Sequence, residues 1–221
     1  MAEWDGVGER GVYDDEHQAE RDRLSDAAHR GDWAAVLAAV ERSAEKSADL
    51  VNTRRVAGRS GWAPLHQAAW HNAPAEVVER LLTAGAWRTL RSADDERPVD
   101  VATRLGHAAL LPLLEPAPLH RVPEADLRAM QHFLHALIRV RTEDFGVTTA
   151  LVLPQASVLT ELPDAALWFR VPGMYGGFGI QLEEVRAGRR LVVRSHCRIV
   201  GHSGRTHHIT PDGCTLTESG W

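Results

Sequence analysis

Near one end of the chain, histidine, arginine and cysteine crowd together. His196, His202, His207 and His208 are four of the twelve histidines and fall within thirteen residues, with Cys197 and Arg198 among them and Arg194 just before. An imidazole that is neutral near pH 7 can act as a general base, and beside guanidinium it can bind phosphate or carboxylate. Arg194, His196, Arg198, His207 and His208 are therefore the candidate anion-binding set. Metal binding with Cys197 is disfavoured, because strict alternation puts Cys197 on the opposite side of a strand from His196. A solvated sheet face is the plainer account of the same residues.

Other candidates for chemistry are weaker. The run 171–179 (VPGMYGGFG) is rich in glycine, and bare backbone N–H groups can cradle phosphate. It lacks the Gly-Lys-Ser/Thr of a P-loop and the spacing of a dinucleotide fold, so a wide inter-strand loop with a bulge at Gly176-Gly177 is expected instead. His132 and His135 sit at i, i+3 but no third ligand accompanies them. Ser195 and Ser203 lie near histidines without the strand-to-helix elbow of a nucleophile. No catalytic residue, metal ligand or cofactor is assigned.

The elements that would position these groups can be read from periodicity. Leu127, Met130, Leu134, Leu137 and Ile138 form a helical stripe over 124–141, with both histidines off it. Strand-like runs follow at 166–171, 177–184, 189–199, 205–210 and 214–217, the later ones separated by turn residues, as in an antiparallel meander. A turn at Ala187-Gly188 sets Leu182 opposite Val193, Ile180 opposite Ser195 and Phe178 opposite Cys197 on the inner face. Gln181 then faces Arg194 and Gly179 faces His196 on the outer one.

Composition bounds the whole. The 221 residues are 44% hydrophobic and 25% charged, ordinary for folded domains, and the count suits two modules. The net charge of −5 argues against a nucleic-acid binder held by bulk electrostatics. Residues 1–116 carry 14 basic and 20 acidic side chains, a net of −6, which leaves +1 for 117–221. All cations but Lys46 are arginine. No apolar run is long enough to span a bilayer, and the acidic start has no apolar core of a signal peptide. Two cysteines are too few for a disulfide scaffold, so a reduced, cytoplasmic protein is expected.

A repeat governs the first half. Gly61-Trp62-Ala63-Pro64-Leu65-His66-Gln67-Ala68-Ala69 continues through Val77-Val78, Leu81-Leu82 and Gly85-Ala86. Pro98 and Ala102 repeat Pro64 and Ala68 at an offset of 34, and Leu24, Ala27, Ala28, Val36 and Leu37 echo the unit upstream. The pattern G-x-T-P-L-H-x-A-A…V-V-x-x-L-L-x-x-G-A resembles the ankyrin repeat over about residues 22–116, with Ala63 in place of the threonine. The third copy reads Val-Asp for Leu-His, and the first lacks the proline entry. Residues 43–60 form a long connection, expected to be mobile. Leu50-Val51-Asn52 closes a stretch similar to the family's exit.

What the resemblance implies is an all-α stack of about three degenerate repeats that binds proteins through hairpin tips and inner helices. Those positions carry Trp62, Trp70 and His71 in the central copy, His29 and Arg30 in the first, and Glu96, Thr103 and Arg104 in the third, with Arg59 beside the central tip. The competing account is that Trp62 and Trp70 pack under the chain's own second domain. Trp33 and Trp87 are expected to pack rather than recognise. The expected architecture is α+β: an acidic, disordered tail over 1–21, repeats over 22–116, a linker over 117–122 and a helix on an antiparallel sheet over 123–221. The expected function is non-enzymatic recognition of a protein, with no nucleic acid or membrane partner and 123–221 as effector or second binding domain. The alternative is a C-terminal domain that binds a small molecule or anion, or hydrolyses a substrate, through its His/Arg face.

Overall fold

The structure, a computed structural model, describes residues 1–12, 15–45, 50–146, 151–172, 174–186, 188–197 and 204–220. Arg198, His202 and Ser203 lie outside the described residues, as do Ala48 and Asp49. The fold is mixed α+β, with seven α-helices and one six-stranded mixed sheet among the described residues. Two compact units divide the chain: Glu9–Ala117, and Met1–Gly8 together with Pro118–Trp221.

The first unit is helical. Its elements are α1 (Asp15–Arg30), α2 (Trp33–Glu45), α3 (Pro64–Trp70), α4 (Ala75–Thr83), α5 (Pro98–Leu105) and α6 (Leu111–Leu114). α1, α3 and α5 touch in order, and so do α2, α4 and α6. Pro64 and Pro98 open α3 and α5, where a missing N–H leaves no hydrogen bond unmade. The third residue of each helix closes the same turn by different chemistry. Ala63 N–H donates to His66 Nδ1 at 3.4 Å, and Arg97 N–H donates to Asp100 Oδ2 at 2.8 Å. Thus the Asp of the third copy does the work of the His in the second. Ala68, Ala69 and Ala102 are fully buried, which lets the inner helices approach closely. Gly85 leaves α4 at φ +95°, as its place after the second helix requires.

Residues 50–56 do not behave as a mobile connection. Leu50, Val51, Thr53 and Val56 are buried to 2% exposure or less. Asn52 donates from Nδ2 to Gly85 O at 2.9 Å and accepts Trp87 N–H at Oδ1, also at 2.9 Å. One amide therefore ties this segment to the exit of the next helix pair, and Trp87 is buried as expected.

The second unit holds the sheet β1 (Ala2–Trp4), β2 (Ala166–Val171), β3 (Gly176–Val185), β4 (Gly188–Cys197), β5 (Arg205–Thr210) and β6 (Gly213–Ser219), in that order, with α7 (Glu124–Thr142) against β4, β5 and β6. β1 runs parallel to β2 and every other pair is antiparallel. The start of the chain is thus not a disordered tail. Trp4 is 2% exposed, and its indole N–H donates to Val152 O at 2.7 Å. The expected linker also belongs to this unit, since Leu119 and His120 donate their N–H groups to Thr160 O. Met130, Leu134 and Ile138 of α7 are fully buried, as are Phe169, Phe178, Leu191, Val193 and Ile209.

The central hairpin is offset from its expected register. Val185 pairs with Gly188, which sets Leu182 against Leu191, Ile180 against Val193 and Phe178 against Ser195. Gly188, expected in the turn, is instead the first residue of β4, at φ +129°. Each pair moves by two positions, so the inner and outer faces keep their residues. No bulge lies at Gly176-Gly177 either; both pair regularly with Cys197 and His196. Their lack of Cβ serves close approach, for a Cβ on Gly177 would lie 2.1 Å from Phe169 O. Gly177→Ala should therefore cost the sheet unit about 1–3 kcal/mol in a denaturant titration. Gly213→Ala, with open space around its Cβ, should leave the midpoint in place.

Candidate functional site

Around α3 and α5, three of the expected recognition residues come together: Trp62, Trp70 and Arg104. The Trp62 and Trp70 rings lie 5.3 Å apart, tilted by 52°. Trp62 stacks on the His66 imidazole at 6.4 Å and 15°, and it packs on the helical core. The Arg104 guanidinium lies 5.8 Å from the centre of a Trp70 ring. A bidentate grip from Glu96 orients it, with Nε donating to Oε1 at 2.7 Å and Nη2 to Oε2 at 2.9 Å. That hydrogen bond holds the Glu96 carboxyl below its usual range and raises Arg104. Trp70 is 43% exposed, an uncommon cost for so large a ring.

His66 is the rigid floor of this group. It is wholly buried, and its Nε2–H donates to Glu96 O at 3.1 Å while Nδ1 accepts from Ala63. Burial pushes its pKa down to about 4, so the neutral tautomer is the folded form. One imidazole thereby joins the turn before α3 to the carbonyl of Glu96, the residue that grips Arg104. The sequence marks Glu96 only as a tip position; its bracing role depends on a contact with a helix eight residues later.

A second group sits beside the first. His71 Nε2 lies 2.9 Å from His29 O, and Trp33 meets the His71 ring edge-on at 5.9 Å. Trp33 also packs on the core, as expected. Arg30 and Arg59 are exposed, and no contact among the described residues draws either one to the tryptophans. Thr103 turns its hydroxyl back to Val99 O at 2.8 Å.

On the sheet, the candidate anion-binding residues are dispersed. His196 pairs with Gly177, Arg194 with Gly179 and Thr206, and His208 with Val192. Four residues of strand separate the rows of His196 and His208, a distance of roughly 13 Å. His207 points to the other side, opposite Val193, because a strand alternates. Arg198 lies outside the described residues. His208 instead takes a hydrogen bond at Nδ1 from Arg190 Nη1 at 3.1 Å, and Arg190 Nη2 donates to Glu183 at 3.1 Å. Off the sheet, His135 Nε2 meets Pro154 O at 2.8 Å, and burial lowers its pKa. No group of three or more metal-ligating side chains occurs among the described residues.

The surface around Trp62, Trp70 and Arg104 is thus where three of the expected residues meet, and it offers aromatic area and an oriented cation. Compared with family models and with curated proteins, the chain matches none.

Proposed function

We propose that residues 9–117 form an ankyrin-type repeat unit that recognises a protein partner, without catalysis, through Trp62, Trp70 and Arg104. The carrying observation is the Trp70 ring, 43% exposed beside Trp62 and under a guanidinium already fixed by Glu96. Tryptophan and arginine dominate binding hot spots because they bury large area with few freely rotating bonds. Pre-orientation by His66 and Glu96 lowers the ordering cost of binding. His71, next to Trp70 in the chain and bonded to His29 O, flanks the same surface. The Pro-x-His and Pro-x-Asp helix starts 34 residues apart, and the ordered contacts of α1, α3 and α5, support the repeat reading.

Trp70→Ala is the cleaner test, because Trp62 also packs on the core. A tagged chain used to capture partners from a lysate should lose them with Trp70→Ala, about 2 kcal/mol or more of binding free energy. The midpoint of the helical unit should move by less than about 4 °C. Trp62→Ala should lower both. Capture unchanged by Trp70→Ala would overturn the proposal.

A further inference from the structure

The outer face of the sheet holds a trough whose middle is glycine. Alternation along β2, β3 and β4 puts Trp168, Arg170, Gly177, Gly179, Arg194 and His196 on the side away from the buried Phe169, Phe178 and Val193. The register sets them in two rows, with Trp168, Gly179 and Arg194 in one and Arg170, Gly177 and His196 in the other. The rows lie about 7 Å apart along the strands, and the outer members of each lie about 10 Å apart across β3. Arg170 and Arg194 are both exposed, and neither forms an ion pair or a side-chain hydrogen bond among the described residues. The carboxylates on the Trp168 row are Glu3, on the far side of Trp168, and Glu218, beyond Thr206, whose hydroxyl donates to it at 3.0 Å.

Glycine keeps the middle of the trough low. Above Gly179 the space is open among the described residues, with Arg194 O alone near the place of a Cβ, at 3.9 Å. Above Gly177 the half-buried Trp168 ring fills it, with Cζ2 3.0 Å from where a Cβ would stand. The indole therefore leans over β3 and forms one wall beside the open floor. Tyr175 ends the trough, in the turn just before Gly176. It is 74% exposed at φ +45°, a conformation that side chains other than glycine rarely hold and that marks binding sites more often than plain turns.

We propose that Trp168, Arg170 and Arg194 bind a nucleoside monophosphate, with its base against the indole and its phosphate between the two guanidinium groups. Two permanent positive charges match the dianion of a phosphomonoester. A base stacks on tryptophan whatever its identity, and the sugar between base and phosphate suits contacts set one two-residue step apart. The site shares no residue with the recognition surface around Trp70 and stands or falls without it.

The full chain should be titrated by calorimetry at about pH 7.5, where phosphomonoesters are dianionic, and at constant ionic strength. The probes are adenosine monophosphate, adenosine and ribose phosphate. Saturable binding of the nucleotide is expected, with each fragment about tenfold weaker or worse, because each keeps one of the two contacts. Arg170→Gln and Arg194→Gln should each weaken the nucleotide about tenfold. Arg186→Gln, exposed just past the far end of β3, should leave it unchanged. In the unaltered chain the nucleotide should also shift the Trp168 indole N–H and the amides of 177–179 by NMR, and leave β6 in place. No saturable binding, equal binding of either fragment, an equal loss in Arg186→Gln, or a silent Trp168 would overturn the site. Binding of a single-stranded oligonucleotide without binding of the mononucleotide would overturn it as well.

Discussion

Trp4→Ala is expected to lower the stability of the sheet unit by about 3–5 kcal/mol, the cost of emptying a large buried aromatic site. The effect is out of proportion to a three-residue strand. Trp4 is 2% exposed, its indole N–H is held by Val152 O at 2.7 Å, and Gly6 O takes the N–H of Val152 at 2.8 Å. Removing the ring leaves a cavity and an unmade hydrogen bond, and β1 loses its anchor beside β2. Trp4→Phe keeps most of the area and loses the bond, so about 1 kcal/mol is expected. Calorimetry of the full chain should resolve the loss as a shift of the sheet unit's transition. Hydrogen exchange should speed up in β2 to β5 and stay unchanged in α1 to α6. A Trp4→Ala cost below about 1 kcal/mol would show that the chain's first residues are dispensable to that unit.

The helical unit should weaken by about 3 kcal/mol between pH 7 and pH 4 through His66 alone. Its folded-state pKa is about 4 against an ordinary 6.5. The unfolded chain therefore takes up the proton first, so stability is full above pH 6.5 and is lost as pH falls toward 4. The slope approaches about 1.4 kcal/mol per pH unit within that window. Asp100 and Glu96 are held below their usual values by Arg97 and Arg104, so their contributions stay full above the ordinary carboxylate range and begin to fade only at the acid end of this window. Denaturant titrations of the unit at half-unit pH steps measure the slope. His66→Gln should be less stable at pH 7 and nearly flat from pH 6.5 to 4.5, whereas an unchanged slope would exclude His66 as its source.

Features that repeat within a few residues, or at a fixed offset, were legible before the fold was known. The α7 stripe and the bounds of β2 and β5 follow from apolar period alone, and the helix starts at Pro64 and Pro98 follow from proline chemistry. What escaped depended on distant partners. β1 is too short for any period to show, and its partner lies more than 160 residues away. The burial of Leu50 to Val56 rests on Asn52 reaching Gly85, a contact no local pattern encodes. The hairpin register missed by two positions because glycine serves a turn and a strand end equally well.

The site residues divide in the same way. Trp62, Trp70 and Arg104 lie at positions set by the repeat offset, so spacing placed them near one another. Their bracing by His66 and Glu96 required the three-dimensional turn. On the sheet, proximity in sequence misled. His207 and His208 are neighbours in the chain and face opposite sides.

The central claim is that the tips and inner helices of the helical unit are its recognition surface. Hydrogen–deuterium exchange of the full chain, alone and with a captured partner, tests it most directly. The account predicts slowed exchange in 59–71 and 96–107, with α2 and α4 unchanged. Protection confined to α2 and α4, or to the sheet unit, would contradict it.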